Sequence, residues 1–160
     1  MNTRTCLENA FWLACDDLLF THTNPWELDE ALKNFGFGIG PCEVMDHVGL
    51  INVHARDGAH ASAILPRMVT EGRVGKIGGV GFYRYPGGGG AVIDPLIEDL
   101  ILEEAWFAKV ARTPLNDTQL VDYILEKLKA AIQGVNHETA LAIVCEQLHF
   151  PRAKLDLITA

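Results

Sequence analysis

The residues able to do chemistry are few and scattered. Cys42 follows Pro41 at an expected helix N-terminus, where amide dipoles lower a thiol pKa and favour a nucleophile. Asp46 and His47 lie near the end of the same helix and are candidates for acid/base work. Arg67, Arg73, Lys76 and Arg84 form a loose basic cluster suited to phosphate groups. Each has a plainer reading: a small buried thiol, a structural histidine, a solvated face. The plainer readings are preferred, because no partner constellation accompanies the candidates. His54 and His60 stand six apart with no His-Glu-x-x-His, so a metal would need tertiary convergence. Ser62, the only serine, is flanked by alanines, not set in a nucleophile elbow. Gly75-Lys76 lacks the upstream glycine and the following Ser or Thr of a phosphate loop, and no Gly-x-Gly-x-x-Gly opens a βαβ unit.

Two glycine-rich motifs are the sharper signal. The first reads Asn34-Phe35-Gly36-Phe37-Gly38-Ile39-Gly40-Pro41, then Met45-Asp46-His47-Val48-Gly49-Leu50. The second reads Glu71-Gly72-Arg73-Val74-Gly75-Lys76, then Gly78-Gly79-Val80-Gly81-Phe82-Tyr83-Arg84-Tyr85. Glycines this dense mark backbone that turns tightly or passes close to something.

The elements around these motifs read as helices. Leu7, Ala10, Phe11, Ala14, Leu18 and Leu19 recur at helical spacing over about 5–20. Asn24-Pro25-Trp26-Glu27 is a helix start, with Asn24 as cap and Glu27 completing a capping-box pattern. Pro41 begins a helix that ends near Gly49, and another is expected over 60–71, starting late or kinked at Pro66. Pro86-Gly87-Gly88-Gly89-Gly90 reads as a linker. Beyond it, helices are expected over 95–110, over 117–133 with Asn116 as a cap, and over 137–148, with a short one after Pro151. Strand alternation is weak everywhere, with Gly81–Tyr85 the one candidate.

Composition sets the frame. At 160 residues and 49% hydrophobic, the chain can bury a sizeable core. A net charge of −8 argues against nucleic acid or an anionic membrane as partner. The cysteines Cys6, Cys15, Cys42 and Cys145 form no Cys-x-x-Cys pair, and no membrane span or signal peptide is visible, so a reduced, cytoplasmic setting is expected.

Together the motifs resemble the C-terminal helical domain of the 3-hydroxyacyl-CoA dehydrogenases. The family's Gly-x-x-x-Gly-Pro stretch is matched by Gly36 to Pro41, and its Asp-x-Val-Gly by Asp46-His47-Val48-Gly49. Its second motif is matched by Gly72, Arg73, Gly75, Gly79, Gly81, Phe82 and Tyr83, with Asn9 at an asparagine the family often shows. The match covers about 5–85. The tail over 116–152 looks like a degenerate second copy without its glycines, as in multifunctional fatty-acid oxidation subunits. The resemblance implies an all-α, multi-helical fold like the C-terminal domain of 6-phosphogluconate dehydrogenase. Its units would be 1–85, a linker at 86–95, and 96–160 with the second copy.

The departures shape the functional expectation. In the family, a preceding domain supplies the NAD site and a catalytic His-Glu pair. This sequence starts after that point, the family's Asn-Arg pair falls at Met1 and Asn2, and its motif lysine falls at Ile77. The resemblance therefore implies no catalytic residue in this chain and NAD only through a separate domain, and the absent ligand motif leaves no metal expected. It implies a substrate-enclosing and dimerising role in β-oxidation, with Gly38, Gly40, Pro41, Arg73 and Lys76 as candidate contacts to an acyl-CoA. The expected partners are a second copy or a Rossmann-type domain. The alternatives are a non-enzymatic acyl-CoA-binding or dimerisation module, and an unrelated enzyme using Cys42 or His47.

Overall fold

A computed structural model describes residues 2–159, and every α-helix below lies within them. Helix α1 (Thr3–Thr21) is capped by Asn2, α2 (Pro25–Phe35) by Asn24, and α3 (Pro41–Val48) starts on its proline. Two short helices follow, α4 (Leu50–His54) and α5 (Ile64–Thr70). The second half holds α6 (Pro95–Phe107), α7 (Asp117–Ile132), α8 (His137–Glu146) and α9 (Asp156–Thr159). The fold is all-α. No helix of the described residues is long and apolar enough to cross a membrane.

Local chemistry explains most boundaries. Asn24 Oδ1 accepts from Glu27 N at 2.9 Å, and Asn116 with Gln119 forms a full capping box on α7. Pro66 sits in the first turn of α5, where its missing N–H removes no intrahelical bond. Gly36 ends α2 at φ +135° and Gly134 follows α7 at φ +76°, backbone that side-chain-bearing residues rarely adopt.

Two expectations change and one is made definite. The helix over 60–71 starts only at Ile64, and the separate α4 precedes it. Gly81–Tyr85 is not a strand: isolated antiparallel bridges (Gly75–Val80, Val80–Arg84, Arg84–Val92) hold this segment in a coiled ribbon. Helix α1 is not amphipathic in the ordinary sense but buried on most sides. Its polar residues find internal partners, with Glu8 on Arg56 at 3.1 Å and Asn9 Nδ2 donating to Asp57 O at 3.0 Å. The Pro86–Gly90 run forms the tip of a loop whose stems pair reciprocally, Arg84 N to Val92 O at 2.9 Å and Val92 N to Arg84 O at 2.8 Å.

The two halves cross over each other. Helix α1 packs on α7, α2 packs on α7, and α8 packs back on α1, so α7 carries α2 while α1 carries α8. The loops beyond α2 and α8 also meet. Gly38 N donates to His149 O at 3.2 Å, and the Phe37 and Phe150 rings lie 5.3 Å apart, edge to face. Phe11 stacks on Phe37 from α1. Full burial of a phenylalanine such as Phe37 contributes roughly 2–3 kcal/mol, so this seam is a main stabilising feature. A single core cluster draws on residues from Leu7 to Ile158. The connection after α6 is pinned by Arg112, which donates to the carbonyls of Leu19, Phe20 and Thr23 and so caps the end of α1.

Candidate functional site

Both glycine motifs are organised by aspartates. Asp46, in the last turn of α3, is almost fully buried. Its Oδ1 accepts from Phe82 N at 2.8 Å, and its Oδ2 accepts from Tyr83 N at 3.0 Å and Tyr85 Oη at 2.6 Å. The second motif wraps around this carboxylate. A Cβ on Gly81 would stand 2.1 Å from Asp46 Oδ1, and one on Gly75 would stand 2.5 Å from Asp46 O. Side chains at those positions would fill the space the aspartate occupies.

Asp29, on the inner side of α2, does the same for the first motif. Its Oδ1 accepts from Cys42 N at 2.9 Å, and its Oδ2 accepts from Glu43 N at 3.1 Å and Tyr83 Oη at 2.8 Å. It thus caps α3 from another helix, satisfying two of the free amides at that N-terminus. A Cβ on Gly40 would lie 2.2 Å from Asp29 Cγ, so the Gly-Pro step is glycine because the carboxylate lies against it. Tyr83 joins the two systems, its hydroxyl on Asp29 and its amide on Asp46.

Burial dominates the electrostatics. Among the described residues no lysine or arginine pairs with either carboxylate, and burial raises Asp29 to about 7 and Asp46 to about 6, partly offset by the hydrogen bonds they accept. Burial also pushes the Tyr83 and Tyr85 hydroxyls well above their ordinary value. Cys42 is fully buried and its thiol is raised, first by burial and then by neighbouring Asp29. Against that, the helix N-terminus does not produce a reactive thiolate. An open groove of about 430 Å³ reaches Asp29 and Tyr83 from solvent, walled by Trp26, Lys33, Glu43 and Ile93.

The expected contact residues lie apart. Gly38 meets His149, Gly40 and Pro41 border Asp29, and Lys76 lies over the Tyr85 ring at 5.8 Å. Arg73 donates to Asp94 at 2.8 Å and to Gly81 O at 3.0 Å, both partly buried. Of the basic cluster, Arg67 is held by Glu71, Glu103 and Glu104, while Arg84 is exposed. His47 stands 3.7 Å from Glu43 and half in solvent. His54 and His60 stack at 5.2 Å, and the described residues hold no cluster of three or more metal-ligating side chains. Ser62 donates to Asp16 Oδ1 at 2.7 Å, tying the segment before α5 to α1.

The sequence reading missed Asp29 and Asp16 and the hydroxyls of Tyr83 and Tyr85. A signal existed for Asp29: it falls among Leu28, Ala31 and Leu32, on a helix face that should be apolar.

Residues 3–85, just over half of the 160, match the family described as 3-hydroxyacyl-CoA dehydrogenase, C-terminal domain. The chain belongs to that family. As a 3-hydroxyacyl-CoA dehydrogenase C-terminal domain it carries the match across both aspartate-centred motifs. Its fold is similar to a solved structure, the dehydrogenase part of multifunctional enzyme 1 from C. elegans, at a TM-score of 0.69 and 21% identity. That alignment covers 86% of this chain and 34% of the other, so this chain spans about a third of that relative. No curated protein matches.

Proposed function

We propose that this chain is the helical, substrate-side domain of a 3-hydroxyacyl-CoA dehydrogenase and does not catalyse by itself. Hydride transfer needs a dinucleotide held against the substrate, with an acid/base beside the reacting carbon. On this reading the dinucleotide is held by a separate Rossmann-type domain, where a parallel sheet would seat it. The observation that carries this reading is the inward direction of the motifs: Asp29 and Asp46 point at backbone amides and tyrosine hydroxyls, not at a substrate. The domain would help enclose an acyl-CoA in β-oxidation, alongside a Rossmann-type domain from another chain or from further sequence. The test is NADH oxidation with acetoacetyl-CoA. The 160 residues alone should show no turnover, and robust turnover would overturn the reading.

A second reading, a non-enzymatic acyl-CoA-binding module, is favoured by Arg84. It is exposed and has no ion-pair partner among the described residues, which leaves its guanidinium available to a CoA phosphate. Calorimetry with CoA esters separates the two. Binding that weakens in Arg84→Ala supports the module, and no heat at millimolar ligand removes it.

A further inference from the structure

Helix α6 covers the core with Ile97, Leu100, Ile101 and Ala105 and leaves its other side uncovered. At about 100° per residue, that outer arc carries Leu96, Asp99, Leu102, Glu103, Trp106 and Phe107. Trp106 is 79% exposed and Phe107 63%, with Leu96 and Leu102 also open to solvent. Together these four present about 500 Å² of apolar side chain, the upper end of what a monomer displays. At the helix's end the two aromatics open onto a groove of about 560 Å³ that includes Lys109, Val110 and Ala111. Large aromatics beside a groove are the residues that anchor interfaces.

Charge selects the occupant. The acids alternate with the apolar residues along the arc, and Asp99 has no ion partner among the described residues. Glu103 is shared with Arg67 at 3.0 Å. A second copy fits poorly. The antiparallel pairing that sets Leu96 on Trp106 also sets Asp99 against the other copy's Glu103, between chains of net charge −8 each. An anionic lipid surface is repelled for the same reason.

We infer that the outer face of α6 is a docking surface for a basic amphipathic helix of a partner protein. Its leucine-like residues would seat around Trp106 and Phe107, and its lysines or arginines would meet Asp99 and Glu103. This surface lies outside residues 3–85 and is independent of the acyl-CoA reading.

The test titrates the whole chain with a labelled amphipathic Leu/Lys peptide and with its Leu/Glu counterpart, read by anisotropy. The Leu/Lys peptide should bind saturably and the Leu/Glu peptide should not. Trp106→Ala, Phe107→Ala and Asp99→Lys should each weaken binding at least about tenfold, since anchors of this kind dominate interfaces. Glu126→Lys, an equal charge change on the exposed side of α7, should change it less than about twofold. Absent binding, or equal losses in Asp99→Lys and Glu126→Lys, would overturn the proposal. So would a dimer in sedimentation that Trp106→Ala dissolves, or phosphatidylcholine-vesicle binding that Trp106→Ala abolishes, because each gives the face another occupant.

Discussion

Asp46 occupies the space that a side chain on Gly81 would need: a Cβ there would lie 2.1 Å from Asp46 Oδ1. The two residues come from different motifs, 35 positions apart, so the glycine of one is explained by the carboxylate of the other.

Gly81→Ala should therefore destabilise the fold by about 3 kcal/mol or more, since neither the buried carboxylate nor the Gly75 backbone behind it can give way cheaply. Gly40→Ala should behave alike against Asp29. Gly90→Ala, with open space around it and no positive φ, should stay within about 0.5 kcal/mol. Urea midpoints of the three variants check the contrast, and equal effects at Gly81 and Gly90 would remove the steric argument.

The same carboxylates set a pH dependence. Both have folded-state pKa values raised from 3.8, to about 7 for Asp29 and about 6 for Asp46, so the folded chain holds protons the unfolded chain has released. Their contribution is fully present below about pH 4 and is lost as pH rises through 6 to 7. Denaturant midpoints should fall from pH 5 to pH 8 for this reason. In Asp29→Asn that fall should shrink, whatever the substitution does to absolute stability. An unchanged fall would show that Asp29 does not titrate in this window.

Tyr83 connects the two systems, so its hydroxyl has more than a local role. Tyr83→Phe removes one of the donors to Asp29 and should cost about 1–3 kcal/mol, the range for a buried group losing a partner. Combined with Asp29→Ala, the losses should not add, because both changes remove the same bond. Additive losses in a double-mutant cycle would mean that the 2.8 Å contact contributes nothing.

The helices were legible because their signals are local. Asn24-Pro25, Pro41, Asn116 and Gly134 each terminate or start a helix through their own backbone chemistry, and each does so in the structure. The tertiary role of the glycines was not legible. Gly40 and Gly81 announce that something comes close, but the approaching groups, Asp29 and Asp46, are 11 and 35 residues away and look like ordinary acids. Helix α1 misled for a related reason. Its spacing pattern says nothing of Glu8, Asn9 and Asp16, which bind Arg56, Asp57 and Ser62 inside the fold. In the tail expected to be a degenerate second copy, the helices form where their local signals put them, and His149 takes a positive φ of +65°, which a glycine would adopt without strain.

The seam between the halves predicts coupling across the sequence. Phe37→Ala and Phe150→Ala should each cost about 3–5 kcal/mol as buried aromatics. Their double-mutant cycle should give about 0.5–1.5 kcal/mol of interaction from the edge-to-face pair. Thermal unfolding should stay a single transition, because α1 and α7 form one packed pair. Two transitions would show that residues beyond the glycine loop fold separately.

Arg73 distinguishes structure from ligand binding. Its guanidinium donates to Asp94 and to Gly81 O, and Asp94 in turn accepts from Leu96 N at the start of α6. Arg73→Ala leaves Asp94 buried without its cation and should cost about 3–5 kcal/mol. Arg73→Lys keeps the charge but not the forked geometry, and should recover only part of that loss. If Arg73 served chiefly to meet CoA phosphates, both variants would unfold like the parent chain while losing affinity for CoA esters. Urea unfolding and calorimetry on the same preparations separate the two outcomes. The joint outcome expected here is a large loss of stability, with whatever affinity the parent chain has for CoA esters unchanged in the fraction that remains folded.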